Sequence, residues 1–232
     1  MTRRITILAV LVATAVGLRA QQAVGTVSIV PRVGVTVSTL TDMDVEHVSS
    51  SGASGWLSPS NKAGFTAGLE AEYQFHPVLA VSLGAFYSMQ GCRYSDYQTS
   101  AGEEKSYYGF ADYNVNVSYI NVPLLLNAYI TKGLAVKAGV QVGFALTANE
   151  EYERTPFTMS DIGYREYDTM TAYDADIETQ SVDISIPVGA SYEYMNVVLD
   201  ARYNIGLTNV FSSGNDAKNR CLVFTVGYRF TL

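Results

Sequence analysis

Two histidines lie beyond the first residues of the chain, and only one has company suited to hydrolysis. His47 falls among Asp42, Asp44 and Ser49, types from which a proton-relay set is built, because an imidazole held by a carboxylate can activate a hydroxyl or a water. Nearness in sequence fixes no hydrogen bond, and His76 sits in a separate His-Pro turn. The expectation is therefore a non-enzymatic protein, with a loop-sited hydrolase built on His47 kept as an alternative. A second constellation is acidic: Glu150, Glu151, Glu153, Asp161, Glu166, Asp168, Asp174, Asp176 and Glu178, against Arg154 and Arg165. Clustered carboxylates, Asp174 and Asp176 among them, offer oxygen ligands to Ca²⁺. The spacing follows no calcium loop, so a solvated acidic segment is expected, with no metal and no cofactor.

A third set consists of charges embedded in small or apolar stretches: Arg32, Glu70, Glu72, Lys137, Asp200, Arg202 and Arg229. Their meaning depends on the elements that carry them. In residues 221–232, Leu222, Phe224, Val226, Tyr228, Phe230 and Leu232 alternate with Cys221, Val223, Thr225, Gly227, Arg229 and Thr231, the period of an extended strand. One face is greasy and the other small or polar. The same alternation recurs in 27–38, 64–75, 79–90, in a segment ending near Tyr129, and in 134–144, 182–193 and 197–207. Short turns at 76–78, 131–133 and near Met195 alternate with long connections at 40–62, 91–114, 147–180 and 212–219. The pattern predicts an all-β fold: an eight-stranded antiparallel up-and-down transmembrane β-barrel with short periplasmic turns and long extracellular loops.

A soluble barrel shows the same alternation with its faces reversed. Here the non-greasy face is rich in Gly, Ser, Ala and Thr, which suits a narrow lumen; a water-facing exterior would carry Lys and Glu. Tyr73, Phe75, Tyr192, Tyr194, Tyr228 and Phe230 would form an inner aromatic girdle, with Phe65, Tyr87 and Phe144 in the outer one. Lipid is then the first partner. The seven embedded charges point inward in the periplasmic half, where unpaired charges would be costly, so a salt-bridged plug is expected. Pro31, Pro123 and Pro187 each remove a ladder donor in a barrel without edges, and bulges or local irregularity are expected there.

The first residues set the compartment. Arg3 and Arg4 precede an apolar run over residues 5–18, too short to span a bilayer but ordered as a secretory signal, with cleavage placed after Ala20. The domain division is thus a signal peptide at 1–20 and a barrel domain at 21–232. Loss of Arg3, Arg4 and Arg19 would take the net charge from −7 to −10, which argues against nucleic acid as a partner. Export also permits a disulfide between Cys92 and Cys221, which fall at outer strand ends. Their strands are not neighbours, so such a bond would have to cross the barrel mouth.

The stretches GAFYSMQG (84–91), YINVPLLL (119–126), RYNIGLTNV (202–210) and VGYRF (226–230) resemble the PorT-like outer-membrane β-barrel family. The resemblance spans most of the chain beyond the signal and accounts for Pro123, which lies within a matching stretch; Thr231 and Leu232 extend beyond the family's final aromatic. It implies an eight-stranded barrel in the outer membrane, and because members differ in role it implies no single function. The second and third long loops are rich in tyrosine: Tyr94, Tyr97, Tyr107 and Tyr108, then Tyr152, Tyr164, Tyr167 and Tyr173. Tyrosine supplies broad amphipathic contact at low entropic cost, so these residues are expected to meet an envelope partner or a glycan, or to pack on one another. The resulting expectation is a closed outer-membrane barrel whose loops bind a partner, with a gated conduit for small solutes as its first rival.

Overall fold

The computed structural model describes residues 23–49, 53–103, 105–160, 162–212 and 216–232; the signal segment and Asp161 lie outside them. The strands in chain order are β1 (Val27–Leu40), β2 (Val45–Val48), β3 (Ser54–Leu57), β4 (Ser60–His76), β5 (Leu79–Arg93), β6 (Tyr97–Ser100), β7 (Ser106–Tyr129), β8 (Leu134–Met159), β9 (Arg165–Tyr167), β10 (Thr171–Asp176), β11 (Val182–Tyr194), β12 (Val197–Asn209), β13 (Lys218–Tyr228) and β14 (Phe230–Thr231). Eight of them close an antiparallel ring, β1-β4-β5-β7-β8-β11-β12-β13 and back to β1, so the barrel has no free edge within the membrane. The short turns share one end. At one of them Met195 and Asn196 both take positive φ, as a two-residue hairpin turn requires.

The two faces of each strand separate as the alternation dictates. Leu69, Leu83 and Leu199 are more than half exposed, whereas their chain neighbours Glu70, Ser82 and Asp200 are buried. A surface this apolar is stable only against lipid. Between Tyr192 opposite Leu134 and Val182 opposite Phe144, β8 advances ten residues. At about 3.3 Å per residue and a tilt near 40°, that is about 25 Å of height, the apolar band of an outer-membrane barrel. Aromatics border it as expected, from Tyr73, Tyr192, Tyr228 and Phe230 at the turn end to Phe65 and Phe144 at the other.

At the three prolines the ladder shows local irregularity rather than bulges. Next to Pro31, pairing runs from Arg32↔Gly227 to Ile29↔Phe230 with two positions unpaired. Next to Pro123 it runs from Leu83↔Leu124 to Phe86↔Asn121, and next to Pro187 from Ser185↔Gln141 to Val188↔Ala138. Each proline opens a gap towards one neighbour and keeps the register. Towards the other neighbour its pairing is regular: Pro31↔Leu69, Pro123↔Gln141, Pro187↔Asn204. The reason is geometric. An antiparallel residue directs its N–H and C=O to the same side, so a missing donor weakens one ladder and leaves the other whole.

The long connections also differ from expectation, because much of them is strand. β2 and β3 form a hairpin within the first, β6 and the start of β7 occupy the second, and the outer half of β8 with β9 and β10 fills the third. β7 and β8 remain paired from Tyr129↔Ala135 at the turn to Ser106↔Thr158 at the tip, through register shifts between Ala111 and Asn114 and between Ser118 and Tyr119. Lipid imposes the greasy-polar alternation only on the membrane band. Above it both faces meet water or other loops, so the backbone stays extended while the period-two signal disappears.

Candidate functional site

The lumen is filled in layers, starting at the turn end. Arg229 reaches Glu72 (Nη1 to Oε1, 2.8 Å) and Glu193 (Nε to Oε2, 2.7 Å). Tyr129 donates its hydroxyl to Glu72 Oε1 at 2.5 Å, and the Asn127 amide donates to Glu72 Oε2 at 3.0 Å. Next comes a five-residue cluster. Glu70 Oε1 faces Arg32 Nη2 at 2.8 Å and Lys137 Nζ at 3.3 Å; Asp200 faces Lys137 Nζ at 3.0 Å and Arg202 Nε at 2.7 Å. Arg32 also reaches Asp200 at 3.4 Å, and Arg202 reaches Glu70 at 3.8 Å. All seven charges singled out in the sequence are therefore lumenal and bridged. Glu193 and Tyr129 belong with them but were missed as members; the signal was their parity, since each lies two residues past an inward position, Ser191 and Asn127.

The two clusters carry complementary imbalances. Three cations surround two carboxylates in the one, and two carboxylates surround one arginine in the other, so together they are neutral. Mutual pairing is what makes eight buried charges tolerable. The Arg202 guanidinium also lies 5.3 Å from the centre of the Phe86 ring, which begins the next layer. Above Tyr119 the mouth is closed by an apolar cluster of Leu40, Cys92, Tyr94, Val115, Val117 and Phe211, among others. Salt bridges below and apolar packing above leave the lumen occupied at both levels.

Beyond the mouth, the ends of β6, β7, β8 and β10 continue as an antiparallel sheet. Its face continuous with the lumen carries a chain of rings: Tyr94 stacks on Tyr113 at 5.1 Å, Tyr113 meets Tyr152 edge-on at 5.0 Å, and Tyr152 stacks on Tyr173 at 5.0 Å. Tyr97 stacks on Phe110, also at 5.0 Å. The Arg154 guanidinium lies 4.6 Å from the Tyr173 ring centre and 5.0 Å from that of Tyr108. Each such contact contributes about 0.5–1.5 kcal/mol. On the opposite face, Tyr107 stacks on Phe157 at 5.4 Å, and Tyr167 packs on Phe157 at the same distance.

The eight tyrosines named from the sequence thus divide. Tyr94 is buried in the mouth cluster and donates to the Met43 carbonyl at 2.6 Å, so it is a structural residue and no part of an exposed surface. Tyr97, Tyr107, Tyr108, Tyr152 and Tyr173 are half-buried in the ring contacts of the two faces, and Tyr164 and Tyr167 are exposed, at 71% and 60%. Burial pushes the Tyr97 phenol up to about 12, with Tyr152 and Glu150 adding to the shift. Tyr113 is raised too, by burial and by donating to Glu150 Oε2 at 2.7 Å.

The remaining candidates stay apart. Cys92 and Cys221 are separate, buried free thiols. Nδ1 of His47 has no hydrogen-bond partner, so no carboxylate orients its imidazole through that atom. Val78 N–H donates to His76 Nδ1 at 3.4 Å in the turn at the other end of the barrel. In the acidic segment, Asp174 accepts from the Asn149 amide at 2.9 Å. Among the described residues, no three His, Cys, Asp or Glu side chains converge as metal ligands.

Solved structures similar to this chain include the attachment invasion locus protein Ail of Yersinia pestis (16% identical over 90% of this chain and 100% of that one, TM-score 0.42) and Neisserial surface protein A (10%, 87% and 97%, TM-score 0.46). The outer membrane protease OmpT of Escherichia coli is another (11%, 92% and 100%, TM-score 0.37). No curated protein sequence matches. Residues 19–212 match the family model described as outer membrane protein beta-barrel domain. With that match spanning most of the sequence, and with a closed ring that turns apolar side chains to lipid, the chain belongs to this family of outer-membrane β-barrel proteins.

Proposed function

We propose that the protein is a non-enzymatic outer-membrane barrel that holds its outer sheet above the surface to bind an envelope or surface partner. The observation that carries this reading is the contrast between a lumen filled with bridged charge and apolar side chains and a tall, ring-lined sheet that continues β7 and β8. A solute pathway needs continuous wettable space, which the layered lumen does not favour. A hydrolase needs an oriented base, and the unpartnered Nδ1 of His47 counts against one. Cleavage after Ala20 and membership of the PorT-like branch belong to the same proposal.

The test is a pulldown from native outer membranes with a tag beside Ser212, followed by mass spectrometry. A stoichiometric envelope or surface protein, lost when Tyr164 and Tyr167 are both replaced by Ser, is the expected result. A lone barrel that also shows unitary conductance in planar bilayers would overturn the reading in favour of a conduit. A hydrolytic activity of the purified barrel that is abolished in His47→Ala would overturn it in favour of a hydrolase.

A further inference from the structure

Buried polar atoms seldom lack partners, and where they do the site calls for an explanation. Among the described residues, the buried side-chain atoms without a hydrogen-bond partner lie in the lumen, with two exceptions: Nδ1 of His47 and Nε2 of Gln98. Both border one groove of about 700 Å³ on the outer sheet, within the range of roughly 300–1,000 Å³ that small-ligand sites occupy.

The sheet register explains the groove. Gln98 pairs with Gly109, and Gly109 pairs with Thr155, so the three form one row with glycine in the middle. The missing side chain makes a trench. The next row supplies an aromatic wall, since Phe157 pairs with Tyr167 and both line the space, Tyr167 with most of its ring in solvent. The opposite border is the β2–β3 hairpin, where the His47 ring lies against Gly55 so closely that an added Cβ would come within 2.7 Å of it. Asp96 and Arg165 complete the lining as one acid and one cation.

We propose that this groove binds a neutral oligosaccharide. A pyranose presents an apolar C–H face, which an exposed aromatic ring can cover, and adjacent hydroxyls that both donate and accept. Planar polar groups suit those hydroxyls: Nε2 of Gln98 and Nδ1 of His47 are covered and unpartnered, so a side-chain rotation on sugar binding would turn the amide out as a donor and the ring nitrogen as a second contact, beside Asp96 and Arg165 with one charge of each sign. The balanced lining favours no net charge. Glu151, Glu153 and Asp174 on the same sheet would repel an anionic polymer. The inference rests on the reading that the outer sheet meets a partner, and it names the chemistry of one site on that sheet.

The test uses the full-length protein in nanodiscs, with maltotriose, cellotriose and N-acetylchitotriose as probes, followed by calorimetry and by fluorescence of Trp56, the chain's single tryptophan, next to Leu57 in the groove. Saturable binding of at least one sugar at around millimolar concentration is expected. Gly109→Phe should fill the trench and weaken binding by about tenfold or more, and Gln98→Ala by about fivefold, the loss of one neutral hydrogen bond. A Cβ at Gly109 meets the Thr155 carbonyl oxygen at 3.6 Å and Phe157 at 3.9 Å, ordinary contact, so Gly109→Ala should fold as the parent does and serve as control. Oligosaccharide released from the producing cell's own envelope forms a parallel arm; tighter binding there than to the three probes identifies an endogenous source, and the reverse an external one.

No saturation in either arm, or equal affinity in Gly109→Phe, would overturn the inference. So would binding of an extended peptide that Gly109→Phe weakens, with no sugar binding, which would make the groove a protein-docking site. If sugars fail while the pulldown returns a stoichiometric protein, this inference falls and the partner-binding reading stands. Failure of both removes both.

Discussion

Glu70→Gln is the sharpest perturbation of the lumen. The carboxylate is completely buried and faces Arg32, Lys137 and Arg202. Neutralising it leaves three cations around Asp200 alone and shifts the cluster from one excess positive charge to two. Removing one partner of a buried ion pair costs about 3–5 kcal/mol, because the remaining charge loses its compensation without regaining water. Glu72→Gln is the matched comparison. Arg229 keeps Glu193 at 2.7 Å, and its cluster moves from one excess negative charge to neutrality, so about 1–2 kcal/mol is expected, mostly from altered hydrogen bonds. Adding Lys137→Met to Glu70→Gln restores the original charge excess and should recover much of the loss. Urea titration of the protein folded into lipid vesicles, followed by circular dichroism and by heat-dependent gel mobility, reads all three. Equal losses for Glu70→Gln and Glu72→Gln, within about 0.5 kcal/mol, would refute the reasoning by showing that water in the lumen screens both clusters alike.

Other expectations follow from single positions. Gly91 has φ of +138°, and an added Cβ would approach the Val115 carbonyl oxygen to 2.0 Å, so Gly91→Ala should destabilise by about 1–3 kcal/mol in the same urea assay; unchanged stability would contradict the strain. Pro187→Val returns a donor to the gap between Ser185↔Gln141 and Val188↔Ala138 and should slow hydrogen exchange across it, worth about 1 kcal/mol; unchanged exchange would contradict closure of the ladder. The Tyr97 phenol ionises at about 12 in the folded protein against an ordinary 10. Its contribution to the outer sheet is therefore complete below pH 10 and lost as pH rises through 12. Ultraviolet titration should show tyrosinate from Tyr97 appearing late and together with unfolding of the loops, and Tyr97→Phe should remove that component.

The barrel was legible because lipid writes its own pattern. From Phe65 to Phe75 and from Leu134 to Phe144 every second residue is apolar, and the structure places each of those stretches in the wall. The charge clusters were legible for the same reason, since parity alone put Glu70 and Asp200 on one side. Parity could not say which charge meets which, because Arg32, Lys137 and Asp200 come from three strands whose lateral order depends on closure of the ring. The outer sheet was missed where the alternation stops. Tyr108, Phe110, Tyr113 and Tyr152 share one face only after the chain slips register beside Asp112, whose φ is +50°. The groove rests on Gly109, and a lone glycine gives no sign of the trench it makes until its row partners are known.

The length of the β7–β8 ladder has a consequence for biogenesis. Its outer portion, from Phe144 to Thr158, measures about 45 Å along the strand, comparable with the whole bilayer including headgroups. That portion holds Glu150, Glu151, Glu153 and Arg154, and all of it must cross the hydrocarbon before the barrel is complete. Transfer of this polar hairpin, rather than zipping of the greasy wall, is then expected to set the pace of insertion. A chain shortened at the tip should enter bilayers faster while ending as the same ring.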